Sequence, residues 1–142
     1  MESFPMRRVA IPADGVTPPE SALTTVLLVT GDADLRAVAA RVLTREGYRV
    51  VVAAHSGHAL LAGRRSGPID LLATEMSMPE MSGPSLADRL RRLHPDLRAV
   101  YFANAGTPES KGVLVRPFTR DTLLARLQEV LPVEIGGTTS AS

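Results

Sequence analysis

With 142 residues, 44% of them hydrophobic, the chain has material for a single core and not for two domains. Sixteen basic against fifteen acidic side chains leave a net charge of +1, without the basic excess of a nucleic-acid binder. Zero cysteines, no N-terminal apolar h-region and no apolar run near the roughly 20 residues that cross a bilayer predict a cytoplasmic protein with no membrane association.

Residues 1–24 hold Pro5, Pro12, Pro18 and Pro19 with Gly15 and show no helical or strand period, so they read as a flexible N-terminal extension. Residues 25–30 (Thr-Val-Leu-Leu-Val-Thr) form a continuous apolar run of strand length, the pattern of a central parallel strand buried on both faces. Asp32 or Asp34 caps the helix that follows, in which Leu35, Val38, Val42 and Leu43 recur at three- and four-residue spacing until Gly47 stops it. Residues 49–53 are short and β-branched, hence a second strand, and Ser56 opens a short helix carrying Leu60 and Leu61 that ends near Gly67-Pro68.

Residues 71–74 are too few for a helix and are closed by Pro79 and Gly83, which predicts a buried third strand feeding a loop, with Glu75 at its carboxyl end. A helix with Leu86, Leu90 and Leu93 on one face follows Gly83-Pro84 and stops at His94-Pro95, because proline disfavours the helical conformation of the residue before it. Residues 98–102 and 113–115 supply the fourth and fifth strands. After Arg116-Pro117-Phe118 a last helix, over about 120–131, turns Leu123, Leu124, Leu127 and Val130 inward. Residues 132–142, with Gly136-Gly137 and a small polar end, read as a disordered tail, leaving 25–131 as the folded domain.

Strand alternating with helix predicts a three-layer, doubly wound α/β fold around a five-stranded parallel sheet with right-handed crossovers. The mouth formed by strand C-termini is where ligands and chemistry collect in such a sheet, which makes Glu75 the first candidate functional group.

A family resemblance rests on punctuation as well as core pattern. Val26-Leu27-Leu28-Val29 with its acidic turn, Glu46-Gly47-Tyr48-Arg49-Val50, Ala59-Leu60-Leu61, Asp70-Leu71-Leu72, Met78-Pro79-Glu80-Met81-Ser82-Gly83, His94-Pro95-Asp96-Leu97 and Arg116-Pro117-Phe118 occur in consistent order. Together they resemble a response-regulator receiver domain of the CheY-like family. The resemblance implies strand order 2-1-3-4-5 and phosphoryl transfer from a histidine kinase to an aspartate ending the third strand, with Mg²⁺ held by acidic residues after the first.

Carried over residue by residue, every part of that machinery is altered. The acidic pair falls on Thr30 and Gly31, leaving Asp32 as the next acid; the phospho-acceptor falls on Glu75. The hydroxyl residue closing the fourth strand falls on Ala103, the lysine after the fifth on Arg116, and the aromatic switch residue on Val113. Since only Lys111 is lysine among the sixteen basic residues, Arg116 alone carries little weight.

A divalent cation wants hard carboxylate oxygens at fixed positions, and Gly31 has none to give while Thr30 offers a neutral hydroxyl. Phosphoryl transfer consists mostly of positioning and charge neutralisation, and Glu75 displaces its carboxylate by about one C–C bond length relative to aspartate. The expectation is a degenerate pseudo-receiver: not an enzyme, with no Mg²⁺ or other cofactor, acting on a histidine kinase or other signalling protein by protein–protein contact. The alternative is a phosphotransfer-competent receiver that accepts a phosphoryl group at an unorthodox site. Glu75 either stands as a permanent carboxylate fixing one signalling state or merely pairs with Arg116 in a decayed site; in both cases the two are expected to approach each other across the mouth of the sheet.

Other groups read as structural. His55 and His58 are surface histidines, Arg89, Arg91, Arg92 and His94 a solvated basic face with an acidic partner as the alternative, and Met76, Met78 and Met81 loop filling. Between Ala103 and Arg116 the sequence has no apolar period, so the helix that receivers carry there is missing or reduced. Strand surface around Tyr101, Val113 and Val115 is then expected to lie open, for a partner or a second copy of the chain to cover.

Overall fold

A computed structural model describes residues 24–108 and 110–131; the expected extension over 1–23 and tail over 132–142 lie outside the described residues. In chain order the elements are β1 (Thr25–Val29), α1 (Ala33–Arg45), β2 (Arg49–Ala53), α2 (Ser56–Arg65), β3 (Leu71–Glu75), α3 (Gly83–Leu90), β4 (Arg98–Ala103), β5 (Val113–Val115) and α4 (Arg120–Val130). The strands form one parallel sheet in the order β2-β1-β3-β4-β5. This is the predicted doubly wound architecture.

Layering follows from the burial of β1 and β3 on both faces. Alternate residues divide between two cores: Val26, Leu28, Leu71, Ala73, Val100, Phe102 and Leu114 face α1 and α4, while Leu27, Val29, Ala53 and Leu72 face α2 and α3. Register then places the strand ends side by side, with Val29 opposite both Ala53 and Thr74, Glu75 opposite Phe102 and Ala103 opposite Val115.

Two helix faces differ from the sequence expectation. Val38 is 55% exposed, because the buried stripe of α1 centres on Ala39 and Leu43 and leaves Val38 at its rim. Leu93 is 54% exposed: α3 ends at Leu90, so Leu93 lies in the turn that leads to the start of β4 and no longer shares the helix's buried face. Ser56 opens α2 as expected, and the cap before it is His55, whose Nδ1 accepts the His58 N–H at 3.1 Å.

No described residue between β4 and β5 is helical, as expected of the shortened connection. The open strand face does not follow, however. Val113 is only 9% exposed within the single chain, and Tyr101 and Val115 are half-buried. The third helix supplies part of the cover, since its first residue, Gly83, approaches so closely that a Cβ there would lie 2.9 Å from the Tyr101 ring. The argument for a second copy of the chain over this face therefore falls away.

Gly83 is a glycine for want of space: the same Cβ would stand 2.4 Å from the Glu75 carbonyl oxygen, which is backbone and has nowhere to go. Gly83→Ala is expected to destabilise the chain by about 1–3 kcal/mol in urea unfolding, whereas Gly31→Ala, whose Cβ would meet only the Ala54 carbonyl at 3.6 Å, should stay within about 0.5 kcal/mol.

Candidate functional site

At the C-terminal mouth of the sheet, Thr30, Glu75 and Arg116 come together. Thr30 follows β1 and is fully buried, so its hydroxyl must find a partner; it donates to Glu75 Oε2 at 2.5 Å. Arg116 follows β5, and its Nη2 donates to the same carboxylate oxygen in a short ion pair. Glu75 and Arg116 side chains are 16% and 28% exposed, which keeps water from fully screening the pair. The approach expected from their positions at the strand ends is thus what the fold provides.

Local structure holds each member in place. Arg116 extends the β4–β5 ladder, its N–H donating to the Ala103 carbonyl at 2.9 Å, and Phe118 two residues on stacks against core residue Phe102 with ring centroids 5.6 Å apart. Thr30 is tied by its N–H to the Ala53 carbonyl and by its carbonyl to the Arg36 guanidinium. Glu75 closes β3, and the next residue, Met76, donates to Phe102 O at 2.8 Å and accepts from the Gly83 N–H at 2.8 Å.

The remaining positions singled out in the sequence do not join the carboxylate. Asp32 is exposed and caps α1, its Oδ1 accepting the N–H groups of Asp34 and Leu35 at 3.0 and 3.1 Å, while its own N–H donates to Thr30 Oγ1. Gly31 is exposed and brings no donor or acceptor side chain. Ala103, 4% exposed, and Val113 offer only apolar walls. Among the described residues no three histidine or acidic side chains gather to hold a metal ion.

Sequence reading missed a second carboxylate. Glu80, in the β3–α3 loop, reaches across to α2, and its Oε2 accepts both the Ser56 N–H at 2.8 Å and the Ser56 hydroxyl at 2.7 Å. These bonds from Ser56 hold the Glu80 carboxyl below its ordinary value of 4.5. His94, read as part of a solvated face, is likewise a brace: its Nδ1 accepts the Ile69 N–H, so its Nε2 carries the proton donated to the Gly63 carbonyl at 2.8 Å. Both contacts join residues more than twenty positions apart, beyond any local sequence signal.

A family model described as response regulator receiver domain matches residues 26–128. The chain belongs to the response-regulator receiver family. It is 33% identical over 121 residues to the sensor kinase CckA of Brucella abortus, covering 78% of this chain but only 13% of that kinase. It is 29% identical over 117 residues to the response regulator receiver protein CpdR of the same organism, covering 75% of this chain and 95% of CpdR. Among solved structures, the chemotaxis response regulator CheY4 of Vibrio cholerae superposes with a TM-score of 0.65 at 25% identity, over 78% of this chain and all of that one.

Two outcomes follow from this geometry. Arg116→Ala strands the Glu75 carboxylate and is expected to cost about 1–3 kcal/mol in urea unfolding, roughly half of it recovered when Glu75→Gln is added, because the stranded charge is then gone. The Glu80 carboxyl, lower in the folded than in the unfolded chain, contributes stability that is present above about pH 4.5 and lost as pH falls through its folded value. Glu80→Gln should therefore lower the urea midpoint at pH 7 and narrow the gap to the wild type at pH 3.

Proposed function

We propose that this receiver-family chain is a signalling module that acts by protein contact from a fixed conformation, without a phosphorylation cycle. The observation that carries the reading is the double occupation of Glu75 Oε2 by the Arg116 guanidinium and the Thr30 hydroxyl. A carboxylate engaged in this way is a poor nucleophile toward phosphorus, and attack in line requires a placement that the extra methylene of glutamate shifts. The donor set does not fit Mg²⁺ either. Thr30 spends its hydroxyl on Glu75, Gly31 has no ligand, Asp32 Oδ1 is committed to two backbone N–H groups, and a guanidinium already neutralises the carboxylate that would bind. No phosphoryl step is therefore assigned to this chain, and no enzyme activity.

Contact as the mode of action is supported by a groove of about 320 Å³ beside the site, whose walls include Leu35, Val38, Val42, Pro117 and Phe118, with Val38 left exposed. The names of the relatives, a sensor kinase and a response regulator receiver protein, support a partner from two-component signalling, such as a histidine kinase. The cysteine-free composition suits the cytoplasm, and among the described residues no helix is long and apolar enough to cross a membrane.

Intact mass after incubation with acetyl phosphate and Mg²⁺ tests the proposal. The expected spectrum is unmodified protein; a stoichiometric gain of about 80 Da, the mass of HPO₃, that disappears in Glu75→Ala would overturn it. The combined variant Thr30→Asp, Gly31→Asp, Glu75→Asp, Ala103→Thr, Arg116→Lys, which rebuilds the family's donor set, should gain the adduct under the same conditions.

A further inference from the structure

Charge is distributed unevenly between the two faces of the sheet. Residues 56–65 and 83–92, spanning α2 and α3 with its following turn, carry five arginines and one aspartate in a chain whose net charge is only +1. That aspartate, Asp88, pairs with Arg91, which also donates to the Leu97 carbonyl. Arg64, Arg65, Arg89 and Arg92 are exposed and, among the described residues, have no ion-pair partner. Elsewhere in the fold Arg36, Arg116, Arg120 and Arg126 are bonded, whereas Arg41, Arg45 and Arg98 are exposed and, among the described residues, likewise without an ion-pair partner, so it is the number gathered on one layer that sets the α2–α3 face apart.

Apolar surface accompanies the charge. Leu61 and Leu93 are 43% and 54% exposed, two of the four large hydrophobic side chains left open among the described residues, and both lie on this layer. Arg64 and Leu93 share a groove of about 520 Å³ between the turn after α2 and the turn after α3, with Gly63, Pro68, His94 and Pro95. Its wall is already built, since the His94 ring bridges the Gly63 carbonyl and the Ile69 N–H, so a ligand need not order it. Two carboxylates, Asp70, which accepts the Thr25 N–H, and Asp96, share this groove with Arg64, so the excess of positive charge lies on the helices above it, on Arg65, Arg89 and Arg92.

From this geometry we infer that the α2–α3 face docks an acidic amphipathic helix of a partner protein, with its carboxylates on Arg64, Arg65, Arg89 and Arg92 and its apolar side chains on Leu61 and Leu93. Unpaired arginines select negative charge, and guanidinium forks match carboxylates two hydrogen bonds at a time. Exposed leucines among them select a protein segment, because a phosphate backbone makes no use of them. The surface lies on the opposite layer from α1 and α4 and does not involve Glu75.

The test is fluorescence anisotropy of the full chain at 150 mM salt with a labelled synthetic peptide of about 14 residues carrying Glu and Leu at helical spacing. Saturable binding is expected, weakened about tenfold or more by Arg64→Glu with Arg92→Glu, and about fivefold by Leu93→Ser. Arg41→Glu with Arg45→Glu, the same charge change on α1, should shift it less than about twofold. Circular dichroism verifies that each variant is folded, and amide chemical-shift changes on the wild type should fall on α2 and α3. The inference is overturned by absence of binding, by equal affinity for a scrambled peptide of the same composition, by equal loss from the α1 charge reversals, or by tighter binding of a single-stranded oligonucleotide or phosphatidylserine vesicles.

Discussion

Burial of β1 and β3 on both faces is the constraint from which the rest of the chain takes its arrangement. All of β1 and the first four residues of β3 are buried, so neither strand can slip by one residue without exchanging the side chains of the two cores. That fixed register brings the ends of four strands level. Thr30 then lies buried with a hydroxyl to satisfy, Glu75 is the acceptor within reach, and a carboxylate so placed needs the cation that Arg116 supplies at the end of the neighbouring ladder. Each partner answers an obligation created by the one before it.

Around this triad the loops are tied down. The β3–α3 connection is held near its start by Met76, which both donates to Phe102 and accepts from Gly83, in the middle by Glu80 on Ser56, and at its end by the glycine that admits α3 against the strand. A loop fastened at three points resists rearrangement more than one held at its ends alone. Such fastening is what the proposed module, presenting one surface, requires of its loops.

Membership of the receiver family and the proposed departure from its phosphorylation machinery are compatible because fold and site are carried by different residues. The core side chains, the turn residues and the register preserve the architecture, while the altered positions all sit at strand ends, where substitution leaves the two hydrophobic cores intact. Loss of the helix between β4 and β5 is tolerated for a related reason. The outer strand is only three residues long, its Val113 carbonyl accepts from Arg126 of α4, and its inner side chain Leu114 is fully buried against the α1–α4 layer, which leaves a small edge to cover.

What the sequence by itself determined was whatever local pattern specifies. Continuous apolar runs gave the central strands, an acidic turn gave the first helix cap as Asp32 or Asp34, and the succession of strand and helix gave the fold; placing Glu75 and Arg116 at strand ends was enough to anticipate their pairing. Tertiary structure decided the rest. Periodicity put Val38 and Leu93 on core faces, yet the width of the buried stripe and the end of α3 at Leu90 turned both to solvent. His94, read as part of a solvated face, and Glu80, which carried no sequence reading, became braces to Gly63 and Ser56, and the face around Val113 closed without a second chain. The division has one physical cause: side-chain spacing along a single element dictates which residues share a face, whereas what that face meets depends on where the other layers end.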